Sequence, residues 1–162
     1  MAIQEGSIEA LPFQDKQFDA LVSADVISQI DYGSNALREF ARVLKPGGIL
    51  VINVAAYNWM KSYHDELMDT RHRFRRSRLV SLLQQAGFKI TISSYANMLI
   101  FPLIFARRKL FKPANPTSDV KLYSPMVDNF CAAMARLETR AIRQGITLPL
   151  GNSVFIAAQR LG

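Results

Sequence analysis

His64, Asp65 and His72 stand close together in one stretch of this 162-residue chain. A histidine exchanges a proton near neutral pH, and a neighbouring carboxylate can fix its orientation. Such a group suits a reaction whose acceptor must lose a proton before it attacks. The competing reading is a loop held by ordinary hydrogen bonds. No metal is expected, because His64 and His72 are eight apart without a compact third and fourth ligand. Asp25 follows an apolar run, Phe18 to Ala24, and so lies just past a strand's carboxyl end, where ligands of open α/β sheets gather. Its competing role is a helix-capping or loop aspartate. Tyr57 and Asn58 follow a second apolar run and are candidates to line an acceptor pocket, with packing the alternative for Tyr57.

Regular elements must carry these residues. Leu37, Phe40, Ala41 and Leu44 form one helical stripe, opened by Ser34 or Asn35 as cap and stopped at Pro46-Gly47-Gly48. Ile49 to Val54 is a β-branched run that suits a strand covered on both faces. Ser77 caps a helix with Val80, Leu83 and Ala86 on one side, and Gly87 ends it. Phe88 to Tyr95 alternates like a strand. Ser124-Pro125 opens a helix whose stripe runs Val127, Phe130, Cys131, Met134, Leu137 and Ala141; that stripe and Cys131 are expected in the core, and Gly145 stops the helix. Ser153 to Ala158 reads as a last strand. Alternating strands and helices predict an α/β layered domain over 1–162, with 96–122 a lid or a membrane-facing insertion.

Composition narrows the classes. Hydrophobic residues make up 49%, which excludes a disordered chain. One cysteine excludes an internal disulfide framework and fits a cytoplasmic setting. No signal peptide is visible, and no apolar run approaches the ~20 residues that span a bilayer. The net charge of +7 is uneven: residues 1–60 carry 4 Lys/Arg against 7 Asp/Glu, the remainder 16 against 6. Arg71, Arg73, Arg75, Arg76 and Arg78 form a basic run, read either as a solvated helix entrance or as a dock for phosphate or an anionic head group. It lacks interleaved aromatics apart from Phe74, which argues against nucleic acid. Residues 98–105, MLIFPLIF, precede Arg107, Arg108, Lys109 and Lys112, and suit either a cover over the sheet or active site or a peripheral membrane contact.

Leu11-Pro12-Phe13, Phe18-Asp19, Leu37-Arg38-Glu39, Arg42 to Gly48 and Ala86-Gly87-Phe88 occur together in order. This set resembles the class I S-adenosylmethionine-dependent methyltransferases, and Asn97 to Pro102 and Leu148 to Ser153 resemble a bacterial subgroup. The resemblance implies a partial Rossmann-like sheet, mostly parallel with an antiparallel last strand and helices on both faces. It implies S-adenosylmethionine as cofactor and methyl transfer to a small-molecule or lipid-linked acceptor. Gly6, Ser7 and Ile8 match the loop beside the adenine, although Ser7 stands where many members carry an aspartate; Ala24 and Asp25 fall near the reactive end. The chain matches the family from about the end of its third strand, without the glycine-rich cofactor loop. Asp19 to Ala24 then becomes an exposed edge, which implies a homodimer or a partner there, and a non-catalytic interaction module as the rival reading.

Overall fold

Residues 3–30, 34–107 and 124–162 are described by a computed structural model. Asp31 to Gly33, and Arg108, Lys109, Lys112, Pro113 and Pro116 of the expected basic loop, lie outside the described residues. The strands are β1 (Phe18–Ala24), β2 (Leu44–Ala55), β3 (Phe88–Ala96) and β4 (Ser153–Arg160). The helices are α1 (Ser34–Val43), α2 (Tyr63–Leu67), α3 (Arg76–Gln85), α4 (Phe101–Phe105) and α5 (Pro125–Arg143). The sheet order is β1-β2-β4-β3, with β1 parallel to β2 and β4 antiparallel to both its neighbours. β1, β2 and β3 therefore share one direction, and only the last strand runs against them.

Alternation along the strands sorts the two faces. Leu50, Ile52 and Val54 of β2 pair in register with Ala158, Ile156 and Val154 of β4, and all six are buried. Ala36, Leu37 and Phe40 of α1 and Leu79 and Leu83 of α3 complete that core. α5 lies across the opposite face, where Ala135, Glu138 and Ile142 share a groove of about 360 Å³ with Ile92, Ala96 and Phe155. Cover on this second face is incomplete: Ile49 is 38% exposed and Val22 74%. The β-branched run of β2 is thus closed on one face only, against the expectation of two. α5 departs further from expectation. Its apolar Val127, Phe130 and Leu137 are exposed and Cys131 is half-buried, while its one buried residue is Glu138.

The Lys-Pro-Gly-Gly segment belongs to β2 but leaves the ladder. Phe18 pairs with Leu44 and Ala20 with Ile49, so extra residues bulge from β2. Gly47 has φ +79°, and the Gly47 and Leu44 carbonyls accept from Gln159 Nε2 and Arg160 Nη1. Ser77 does not cap α3; the helix starts one residue earlier, after Arg75, which makes no side-chain cap. Pro125 opens α5 as expected, although Ser124 before it makes no side-chain cap, and Gly87 and Gly145 follow their helices with φ +86° and +83°.

The connection after β2 is fastened by charge. Arg73 and Asp65 are buried, and Arg73 Nε and Nη2 donate to the two Asp65 carboxylate oxygens at 2.6 and 3.1 Å. Arg73 Nη1 donates to the Ala56 carbonyl at 2.9 Å, and the Ser62 amide donates to Asp65 at 2.9 Å. Ala56 also bridges Phe74 as a short parallel pair, so residues 57–74 return to the end of β2. At the neighbouring strand end Gly151 passes so close to Ala96 that a Cβ there would sit 2.2 Å from its carbonyl oxygen.

Two stability outcomes follow from these contacts. Gly151→Ala forces backbone apart and costs about 1–3 kcal/mol or more, seen as a Tm lowered by roughly 2–12 °C in a thermal melt. Asp65→Asn leaves a buried guanidinium without its counter-charge and costs about 3–5 kcal/mol in urea unfolding, whereas Asp65→Leu with Arg73→Met recovers part of that loss. Equal stability of Asp65→Asn and the parent chain would show that the pair does not hold the connection.

Candidate functional site

The polar groups collect where the sheet ends. The carboxyl ends of β1, β2 and β3 and the start of β4 lie side by side, because Ala24 pairs with Asn53, and Ala55 and Ala96 both pair with Ser153. A cavity of about 210 Å³ opens there, lined by Asp25, His64, Asp65, Arg73, Asn152 and Ser153 among others. Asp25 has φ +58°, a left-handed conformation uncommon for a side-chain-bearing residue. Its amide donates to the Asn53 carbonyl at 2.8 Å, which fixes that turn to β2. Asp25 is exposed by area, yet the chain crowds its carboxyl: partial desolvation raises its pKa above the usual aspartate value, against the Ala55 amide and the positive charges of Arg73 and His64. Asn152 Oδ1 is buried with no hydrogen-bond partner among the described residues.

A second cavity, about 330 Å³, opens on the other side of Arg73 and is lined by Asn58, Trp59, His72, Arg75, Ser77 and Arg78 among others. His72 lines this second cavity, while His64 and Asp65 line the first, and the His72 amide donates to the Ser28 carbonyl at 3.0 Å. Asp65, cast as the partner that orients a histidine, is engaged by Arg73 and Ser62. Asn58 lines the second cavity, and its Oδ1 accepts the Arg73 amide at 2.9 Å.

Tyr57 is placed differently from Asn58. It has φ +59° and stacks on Tyr95, ring centroids 5.1 Å apart, with Trp59 at 5.5 Å and Phe101 at 6.4 Å. Burial, then a hydrogen bond with Tyr95, pushes the Tyr57 phenol above its ordinary pKa and keeps it protonated. Phe105 packs on Trp59 at 6.1 Å, so α4 covers this aromatic cluster, while Leu99 and Leu103 are exposed beside it. Glu138 fastens the approach to α4: its carboxylate accepts the Asn97 and Leu99 amides, each at 2.7 Å. Among the described residues no helix is long and apolar enough to cross a membrane.

The expected adenine-side loop is held by α1. Arg42 donates to Glu39 and Asp15 and to the carbonyls of Leu11 and Phe13, and the Leu11 amide donates to Glu39. Ile8 lines an apolar groove of about 280 Å³ along β1, together with Val22, Ser23 and Val26. Gly6 and Ser7 are exposed and line none of these three cavities; Ser7 Oγ accepts the Glu9 amide at 3.2 Å. Ala24 is exposed at the end of β1. Sequence reasoning missed Arg73 as a buried ligand of Asp65, and missed Glu138 and Asn152. Only Asn152 had a signal, its place in the Leu148 to Ser153 motif.

The described residues fit the cationic end of S-adenosylmethionine. A crowded carboxylate and a buried, unpartnered amide oxygen share one cavity, and both favour a positively charged ligand. That volume takes one end of such a molecule.

Comparisons with known proteins show what the chain is similar to in sequence and in fold. Residues 1–52 match the family model described as a methyltransferase domain. The chain is 29% identical over 116 residues to a malonyl-[acyl-carrier protein] O-methyltransferase of Erwinia pyrifoliae, covering 69% of this chain and 44% of that one. It is 50% identical over 44 residues to the ubiquinone/menaquinone biosynthesis C-methyltransferase UbiE of Bartonella quintana, covering 27% and 17%. Both matches span less than half of the relative's length. A solved S-adenosylmethionine-dependent methyltransferase of Thermotoga maritima shares the fold with TM-score 0.55 at 18% identity, over 96% of this chain and 62% of that one. Residues 1–52 are thus similar to a methyltransferase domain, and the chain shares the fold of solved S-adenosylmethionine-dependent methyltransferases.

Proposed function

We propose that this chain takes part in methyl transfer from S-adenosylmethionine to a small-molecule or lipid-linked acceptor. The observation that carries the reading is the crowded Asp25 carboxylate at the carboxyl end of β1, in one cavity with His64 and Asn152. When bound, the cofactor supplies a methyl group already activated on a sulfonium, so the protein's work is alignment. Asp25 and the Asn152 amide oxygen hold the cationic end, and Ile8 with Val26 offers an apolar wall along β1. His64 takes a proton from an acceptor that must lose one. Asp65 is a positioning residue that acts through Arg73. His72 and Asn58 meet the acceptor from the second cavity, and Tyr57 shapes its wall through the aromatic stack. The matched relatives are named as a malonyl-[acyl-carrier protein] O-methyltransferase and a ubiquinone/menaquinone biosynthesis C-methyltransferase. Those names support the small-molecule or lipid-linked class.

The exposed edge of β1 favours a second role beside this one. β1 has one strand neighbour among the described residues, and Val22 is 74% exposed on it. A second copy or a partner strand adds there by backbone pairing, and a charge on the edge opposes it. Val22→Lys is expected to shift sedimentation from dimer to monomer; an unchanged profile removes the edge from the interface.

Calorimetry with S-adenosylmethionine on this chain tests the main reading. Saturable binding, weakened about tenfold in Asp25→Asn by loss of one charge-assisted contact, is expected. No binding by a folded chain counts against it. Stability gives an independent check on Asp25. A carboxyl whose folded pKa is raised stabilises the fold relatively below the ordinary value of 3.8, and that contribution is lost as pH rises through the folded pKa. Asp25→Asn should therefore melt higher than the parent at neutral pH and equal to it in acid. The reverse order would mean that a cationic partner in the fold already stabilises the charge.

A further inference from the structure

α4 is a cover that its own residues do not hold down. It has five residues, none of them buried, and Leu103 on it is 61% exposed. A helix this short gains little from its own hydrogen bonds, so its place depends on tertiary contacts. Aromatic rings supply one set. Phe101 meets Trp59 at 6.3 Å with the planes at 90°, and Phe105 meets it at 6.1 Å. Trp59 also lines the second cavity, so α4 backs one wall of that cavity.

The other set is polar and comes from α5. Glu138 is buried, and its two carboxylate oxygens accept separate amides, those of Asn97 and Leu99, each at 2.7 Å. Packing does not ask for a carboxylate there. Ala135 and Ile142 of the same helix already share a groove with Ile92, Ala96 and Phe155, and a buried charge is unfavourable until hydrogen bonds compensate it. The compensation falls on one short segment, the chain between β3 and α4. Asn97 turns that segment in a left-handed conformation, φ +60°, and its Nδ2 donates to Ser153 Oγ at 3.3 Å. Ser153 in turn lines the first cavity. Residues 97–99 are thus gripped from α5 and from the start of β4, and α4 follows directly on Trp59.

We propose that Glu138 is a positioning residue for the second cavity: by holding the Asn97 and Leu99 amides it seats α4 on Trp59, and release of those amides lets α4 leave the cavity wall. That the cavity takes the methyl acceptor, so that α4 governs its entry, rests on the methyltransferase reading; the hold of Glu138 on α4 does not.

Trp59 is the chain's one tryptophan, so its fluorescence reports whether α4 is seated. The whole chain is measured without S-adenosylmethionine, by acrylamide quenching and by amide hydrogen exchange. Glu138→Gln keeps the length of the side chain and loses the charge of the acceptor. Exchange over residues 97–105 is expected to rise about tenfold or more in this variant, and Trp59 quenching to rise with it. Glu138→Ala goes further in the same direction. Phe101→Ala with Phe105→Ala bares Trp59 directly and gives the full rise in quenching for comparison. Arg140→Gln, exposed on the same helix, should change neither signal. Circular dichroism melts verify that each variant is folded, and where Glu138→Ala does not fold, Glu138→Gln decides alone. Unchanged exchange over 97–105 in folded Glu138→Gln overturns the proposal. Faster exchange there with Trp59 quenching unchanged also overturns it, because the carboxylate then fastens only the loop. An equal rise over β2 and β4 overturns it as well, because Glu138 then anchors the whole fold. Calorimetry with S-adenosylmethionine is a separate measurement: a parent chain that binds none fails the methyltransferase reading, while the α4 result stands on its own.

Discussion

The buried pair of Arg73 and Asp65 is the constraint on which the functional end of this molecule depends. Burying two charges is unfavourable unless their geometry and remaining hydrogen bonds compensate. Here the guanidinium fork meets both carboxylate oxygens, its third nitrogen reaches the Ala56 carbonyl, and the Ser62 amide completes the carboxylate. Replacing both groups by apolar ones is often neutral for stability, so the gain lies in position. The pair draws residues 57–74 back to the end of β2, stands between the two cavities and removes the Arg73 charge from the second.

The sheet behind that end is sealed unevenly, and its edges follow from this. Against α1 and α3 the apolar residues interdigitate into one core. Against α5 the contact includes a carboxylate: Glu138 is the helix's one buried residue and it holds two loop amides. α5 is tied to the approach of α4 by charge-assisted hydrogen bonds while Met126, Phe130 and Leu137 are left exposed. β1 shares the openness through Val22. The aromatic cluster of Tyr57, Trp59, Tyr95, Phe101 and Phe105 meets the same carboxyl end from the α4 side, so both loose parts of the fold converge on the cavities.

What was legible in the amino-acid sequence was local. Leu37, Phe40 and Ala41 disclosed α1 because they repeat at its period, although Leu44 of the same stripe opens β2, and Gly87 and Gly145 disclosed stops because left-handed backbone favours them. The family motifs gave the sheet and its antiparallel last strand. Contacts between distant positions were not legible. Asp65 and Arg73 are eight apart across a loop of no fixed period, so nothing marks them as partners or separates His64 from His72. Val127, Phe130 and Leu137 repeat as a core stripe would, yet periodicity reports only that one side of a helix is apolar, not that something covers it. Ser77 looked like a cap by type alone, and the helix began one residue before it.

Backbone cost at the strand ends favours a ligand-binding role over a purely structural one. Asp25 and Tyr57 follow two adjacent parallel strands, and each holds a positive φ that a side-chain-bearing residue adopts at a cost of about 1–3 kcal/mol when it is sparsely populated. Asp25 adds a partly desolvated charge. Tyr57 packs against the core through Tyr95, but the Asp25 turn and its carboxyl add nothing to it. A module that only docked through the β1 edge would need neither the strained turn nor the crowded carboxylate, since edge pairing is made by backbone groups along the strand. Costs that collect at one end of a sheet, beside the cavity that Asp25 lines, are accounted for when a ligand fills that cavity and returns the energy on binding.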